Sequence, residues 1–167
     1  NDFEAKDFFV LPEPLIQNKF SRIMSLKDGL KKMSKSDISD LSRINLTDSK
    51  DQIINKIKKA KTDPLPMPLQ IEELENRPEV KNLLEIYSSL SGLTIEKSIK
   101  DYAGKNFSSF KENLAEVLVE RVEPISKDIK KLLNDKEYLD EILNEGFKKA
   151  DKIARIKIKK IHEIIGF

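Results

Sequence analysis

Residues 109–133 read SFKENLAEVLVERVEPISKDIKKLL. Phe110, Leu114, Val117, Leu118, Ile125, Ile129, Leu132 and Leu133 form an apolar pattern at helical spacing, which places them along one stripe of an α-helix. Ser109 and Glu112 stand at capping-box separation, so the helix is predicted to start there. Pro124 lies inside the stripe. Because the periodicity continues across it, the spacing predicts a kink and not a stop. A stripe of this length needs other apolar faces to cover it, and that requirement makes the fold mainly α.

Working outward, Asn134 or Asp135 can cap a last helix carrying Leu139, Ile142, Leu143, Ala150, Ile153, Ala154, Ile161 and Ile165. Upstream, Thr94 is predicted to cap a short helix to Tyr102, closed by Gly104. Before it, Pro78 suits a first helical turn, Val80, Leu83, Leu84, Tyr87 and Leu90 form a stripe, and Gly92 supplies the left-handed residue that ends it. Three long stripes that need one another predict a helical bundle. Pro64, Pro66 and Pro68 make a stiff extended connector, so the boundary is placed there: 1–65 as one domain and 66–167 as the helical one.

Within the first region a helix is predicted from Thr47 or Asp48 to Thr62-Asp63-Pro64. Ile53, Ile54, Ile57 and Ala60 share one face, and Lys56, Lys58, Lys59 and Lys61 line the others. Ser21 to Leu26 reads as a strand with Ile23 and Met24 buried on opposite faces, the pattern of a parallel strand in an α/β sheet. Phe8 to Leu11 reads as a briefer strand running into Pro12 and Pro14. Asp28-Gly29 then breaks the chain into a lysine-rich loop, and Asp37 or Ser39 can cap a short helical segment after it.

The totals constrain function. Apolar residues make up 38% and charged residues 36% of the 167, with a net charge of only +2. That balance describes solvated helix faces and excludes a uniformly basic nucleic-acid binder, so any such surface is local. The absence of cysteine excludes disulfides and thiolate metal sites, no metal site is expected, and a reducing, cytoplasmic setting fits. No apolar run has the length of a membrane span, and no signal peptide opens the chain. The first residue is Asn1 and not Met, from which a fragment or processed piece is expected.

The candidate site is the loop Lys31-Lys32-Met33-Ser34-Lys35-Ser36-Asp37. Each ammonium is a compact charge with three donors and each hydroxyl gives one more, a set suited to a polyphosphate. On composition alone such a loop reads as a solvated one; its position at the end of a predicted strand favours ligand chemistry. The glycine-rich pattern that cradles phosphates with backbone amides is missing, so the lysines would have to do that work.

Arg22-Ile23-Met24-Ser25-Leu26-Lys27-Asp28-Gly29 followed by Lys32-Met33-Ser34-Lys35-Ser36-Asp37 resembles the second signature of class I aminoacyl-tRNA synthetases. Ser42-Arg43-Ile44-Asn45-Leu46, Lys58 to Asp63, Asn82 to Tyr87 with Leu90-Ser91-Gly92, and Tyr102 to Lys105 with Phe110-Lys111 resemble the tryptophanyl-tRNA synthetase family specifically. The resemblance implies the closing part of a Rossmann-like α/β catalytic domain, with one or two short parallel strands, followed by an all-α anticodon-binding bundle. It implies ATP-dependent activation of L-tryptophan to an adenylate and transfer to tRNA(Trp), with Mg2+ on the ATP phosphates.

By the same resemblance Lys32 and Lys35 bind the triphosphate, and Lys35 neutralises the departing pyrophosphate. Ser34 and Ser36 add hydrogen bonds, the Met33 backbone lies near the adenine, and Ile23 packs against it. The family's early His-Ile-Gly-His-like signature has no match, since the one histidine, His162, stands near the C-terminus. The expected match is therefore to the C-terminal half of such an enzyme, inactive alone, the whole being a homodimer whose contacts lie upstream. Lys148, Lys149, Lys152, Arg155, Lys157, Lys159 and Lys160 read either as a solvated face or as phosphate contacts to tRNA. Tyr87, Tyr102 and Tyr138 read either as bases' stacking partners or as packing residues. Two other classes stay open: a noncatalytic helical RNA-binding module and a structural dimerisation domain.

Overall fold

The computed structural model describes residues 8–16 and 21–166. Five α-helices follow one another: α1 (Lys50–Lys58), α2 (Pro78–Ser91), α3 (Ile95–Tyr102), α4 (Phe107–Asn134) and α5 (Lys136–Ile165), with 3-10 turns at Asp40–Ser42 and Ile71–Asn76. Two compact units are distinguished, one spanning 16–130 and one made of 131 onward with the segment up to 15.

The helix ends follow local chemistry. Ser49 accepts from the Gln52 amide at 3.4 Å while the Gln52 carboxamide accepts from the Ser49 amide at 2.8 Å, a closed capping box that starts α1. Asp48, an expected first residue, is instead buried and turned toward Lys56. Pro78 opens α2, and Gly92, at φ 74°, ends it in the conformation that a side chain disfavours. Thr94 caps α3 through the Lys97 amide at 3.2 Å, and Asp135 caps α5 through the Tyr138 amide at 3.1 Å. The helix α4 starts two residues before Ser109 and runs unbroken through Pro124.

The unit spanning 16–130 holds the core. Leu26, Ile53, Ile57, Met67, Leu83, Leu84, Ile99, Phe110 and Leu114 are buried in one cluster that draws on both sides of the proline connector. Tyr87, Tyr102 and Phe110 pack edge to face, with centroids 5.2 to 6.1 Å apart. Its hydrogen bond to Tyr102, together with burial, pushes the Tyr87 hydroxyl up to about 12. These two tyrosines are packing residues, and only Tyr138 of the three remains exposed. The connector is fastened by backbone bonds between Met67 and the Gly104-Lys105 turn (2.9 and 3.0 Å). Arg77, also buried, donates to both oxygens of Asp63 (2.7 and 2.8 Å) and to the Pro66 carbonyl at 2.8 Å.

In the second unit, α5 contributes no buried residue; Ile142, Leu143 and Ile153 from its expected stripe stay exposed. Lys157 sits 4.0 Å from the Phe8 ring centroid and donates to the Phe8 carbonyl at 3.0 Å.

The expected parallel strands are not found among the described residues, which carry only an isolated antiparallel bridge between Met24 and Lys32. Phe8 to Leu11 forms no strand. Ser21 to Leu26 does run extended, but it pairs with the returning arm of its own loop, so Ile23 and Met24 are half-buried and Leu26 is the core residue.

Candidate functional site

The lysine loop is the far arm of a tight hairpin. Asp28 starts the turn by accepting from the Leu30 amide at 3.1 Å, a bond that, ahead of the Lys31 ion pair, holds its carboxyl below the usual range. The Lys31 amide closes the turn on the Asp28 carbonyl at 3.1 Å. The Ser25 amide then donates to Lys31 (2.8 Å) and the Met33 amide to Ile23 (3.0 Å), flanking the Met24–Lys32 bridge. Leu26 anchors the near arm: its amide donates to Ser42 at 2.9 Å and its carbonyl accepts from Lys61 at 2.7 Å.

All the expected site residues lie on or beside this hairpin. Lys32 and Lys35 are exposed, and neither has an ion pair among the described residues. Ser34 and Ser36 are exposed with hydroxyls 3.0 Å apart, and the Ser36 amide donates to the Ser34 hydroxyl at 3.3 Å. Ile23 and Met33 are half-buried against the core, which leaves each an accessible edge. The arrangement therefore offers two unneutralised ammonium groups and two hydroxyls beside a small apolar shelf, chemistry that accepts phosphate oxygens next to a flat ring.

Beyond the loop, Arg43 gathers the chain by donating to the Asp37 carbonyl at 2.9 Å and to Asn45 at 3.1 Å. It also pairs with Asp40 at 3.1 Å. Lys56, expected on a solvated face of α1, is 2% exposed and pairs with Asp48 at 2.6 Å and Asp40 at 2.7 Å. The Lys56 hydrogen bond, and after it Asn45, holds the Asp40 carboxyl below its usual range. This network fixes the chain where the loop returns to the core.

A second support is α2. Asn82 is buried and makes two bonds to Met24, accepting from its amide and donating to its carbonyl, each at 2.9 Å. Gly29 abuts the first turn of α2, where a Cβ would stand 2.5 Å from backbone atoms of Pro78 and Glu79. Lys61 bonds Glu79 at 2.7 Å, which is the leading cause of both the raised Lys61 and the lowered Glu79 values. A cavity of about 290 Å³ lies alongside, lined by Arg22, Met24, Gly29, Lys81 and Asn82 among others.

Sequence reasoning passed over Arg43, Lys56 and Asn82 as positioning residues. Of these, Lys56 carried a signal, since it stands three residues after Ile53 and four before Ala60, on the same side of α1 as the apolar face. On α5 the basic residues from Lys148 to Lys160 are all exposed. Lys149, Arg155 and Lys159 pair with acids one turn away and Lys157 is occupied by Phe8, which leaves a mixed surface. His162 is exposed near the end of α5, far along the chain from the loop.

Among known proteins, the family described as tRNA synthetases class I (W and Y) matches residues 1–123. A tryptophan–tRNA ligase of Caulobacter vibrioides is 49% identical over 167 residues, covering 100% of this chain and 48% of the relative. One from Rickettsia felis is 51% identical over 162 residues, 97% of this chain and 48% of the relative. Among solved structures, a tryptophanyl-tRNA synthetase of Mycoplasma pneumoniae aligns with a TM-score of 0.73 at 25% identity, covering 90% of this chain and 45% of that one. Another, from Campylobacter jejuni, complexed with ADP and tryptophan, aligns with a TM-score of 0.69 at 27% identity, covering 98% and 49%. The chain thus spans about half the length of the curated relatives it matches.

Proposed function

The chain belongs to the class I tRNA synthetases (W and Y), and from that premise we propose that it is the C-terminal portion of a tryptophan–tRNA ligase. The whole enzyme activates L-tryptophan with ATP to the adenylate and transfers it to tRNA(Trp). In this reading 1–65 closes the catalytic domain and 66–167 is the anticodon-binding domain. The observation that carries it is the hairpin that presents Lys32 and Lys35 exposed and unpaired, in a chain whose curated relatives are tryptophan–tRNA ligases.

Lys32 and Lys35 hold the ATP phosphates. As the bond to the α-phosphate breaks, negative charge grows on the pyrophosphate, and Lys35 stabilises it more in the transition state than in the ground state. Ser34 and Ser36 donate to phosphate oxygens, while the Met33 backbone and Ile23 border the adenine. The ADP in the Campylobacter jejuni relative supports a nucleotide site in this family. Magnesium belongs to the proposal as an ion carried on the ATP phosphates. The exposed cations of α5 are proposed to meet tRNA phosphates. A cytoplasmic, homodimeric parent belongs to the same proposal; no helix among the described residues is long and apolar enough to cross a membrane.

The test is tryptophan-dependent exchange of pyrophosphate into ATP by the full-length protein that carries this chain. Lys35→Ala is expected to slow it by about 100-fold or more, the scale of losing one preorganised donor to a developing anion. Exchange unchanged by that substitution would remove Lys35 from the mechanism. Salt-sensitive tRNA binding with no exchange in the wild type would favour a noncatalytic RNA-binding module instead.

A further inference from the structure

The hairpin that carries the lysines is completed by a side chain from another element. In an antiparallel pair, directly opposed residues alternate between those that exchange backbone bonds and those that do not. Met24 and Lys32 are of the second kind, because the bonds run from Ser25 to Lys31 and from Met33 to Ile23. The Met24 amide and carbonyl therefore point away from Lys32, toward α2. There they meet Asn82, which returns one acceptor and one donor at 2.9 Å each. A carboxamide so placed does what one residue of a third strand would do.

Position matters because strand register is easily lost in a short pair with no sheet behind it. A one-residue slip reverses which face every side chain occupies, so Lys32 would change sides. Asn82 is 2% exposed, and so both of its polar groups depend on Met24 for partners. Gly29 seats the turn of the same hairpin on Pro78 and Glu79, one helical turn earlier on α2. Turn and arm are thus indexed against a single rigid helix.

We propose that Asn82 is a positioning residue: its carboxamide, acting through Met24, sets the register of the hairpin and hence where Lys32 and Lys35 stand against ATP. This rests on the reading that those lysines contact the nucleotide. It also assigns α2 a part in ATP use.

The test uses Asn82→Asp, which keeps the shape and the acceptor but loses the donor, and Asn82→Leu, which keeps the bulk and loses both. Amide hydrogen exchange on the chain should quicken about tenfold or more at Ser25 and Met33, the scale of losing one or two such bonds, with Ile57 and Leu84 unchanged. Unchanged protection at Ser25 and Met33 overturns the proposal. So does equal loss at all four amides in both variants, which would make Asn82 a core residue only.

In the full-length protein, with rates expressed per titrated active site, KM for ATP should rise about tenfold or more while KM for tryptophan holds. A fall confined to the number of active sites, with both KM values kept, also overturns it. If the wild type shows no tryptophan-dependent exchange, the functional reading fails, whereas the hydrogen-exchange arm still judges Asn82.

Discussion

Replacing Lys56 with methionine tests whether the end of the loop is held by the buried Lys56–Asp48 ion pair. Methionine keeps an unbranched chain in the same slot and removes only the ammonium. What it leaves behind is Asp48, 3% exposed, whose carboxylate has lost a partner at 2.6 Å. Removing one member of a buried pair costs about 3–5 kcal/mol, because the other charge remains desolvated. Two donors survive, the Asn45 backbone amide at 2.8 Å and its side-chain amide at 3.2 Å, so the lower end, about 3 kcal/mol, is expected. For a chain of this length that lowers the melting temperature by about 6–12 °C. Urea titration followed by far-UV circular dichroism at neutral pH measures it, with exposed Lys58→Met as the control, expected within about 0.5 kcal/mol of the wild type. Adding Asp48→Asn to Lys56→Met should recover much of the loss, since the stranded charge goes with it. A loss under about 1 kcal/mol for Lys56→Met would refute the reasoning, placing the pair in the range of hydrated surface bridges.

Acid should weaken the molecule in a defined way. Burial raises Asp63, but the Arg77 hydrogen bond and the Leu65 amide together outweigh it and leave the carboxyl lowered. A lowered carboxyl contributes stability above its unfolded value, near 3.8, and that contribution disappears as pH falls through the folded value. In Arg77→Ala, urea midpoints measured from pH 5 downward should therefore fall less steeply than in the wild type. Gly29→Ala would drive a Cβ to within 2.5 Å of the α2 backbone, so the hairpin must shift. A loss of about 1–3 kcal/mol is expected, together with faster trypsin cleavage after Lys31, Lys32 or Lys35; an unchanged cleavage rate would mean that the turn is not seated on α2.

Helix ends were the most legible part of the fold, because each depends on residues within one turn. Pro78, Gly92, Thr94 and Asp135 take the roles that their local chemistry predicts. The strand at Ser21 to Leu26 was legible as extended backbone and not as a partner, since alternation along a segment carries no information about what lies beside it. A parallel sheet was expected there. The partner is the segment's own return arm, a pairing made possible by the turn at Asp28-Gly29 and closed within ten residues.

The candidate site divides along the same line. The exposure of its two lysines and two serines was legible, because polar side chains in a turn-flanked loop are solvated without help from neighbours. Its presentation was not, because that rests on polar residues whose burial runs against their type. Lys56 stands three residues after Ile53 and four before Ala60, on the inner side of α1, but its type argues against burial, and it is held there because Asp40 and Asp48, from separate turns of the chain, converge on it. Asn82 has the same character: a buried carboxamide is a cost until a backbone segment 58 residues away supplies both partners. Both groups are most strongly satisfied in one arrangement, so they oppose slippage in a way that apolar packing, tolerant of small shifts, does not. An exposed loop whose Lys32 and Lys35 carry no ion pair among the described residues has little of its own to fix its position. Directional bonds from Asn82 of α2 to the near arm, and from Lys56 of α1 to the chain beyond the loop, give the lysines a defined origin while leaving their side chains exposed.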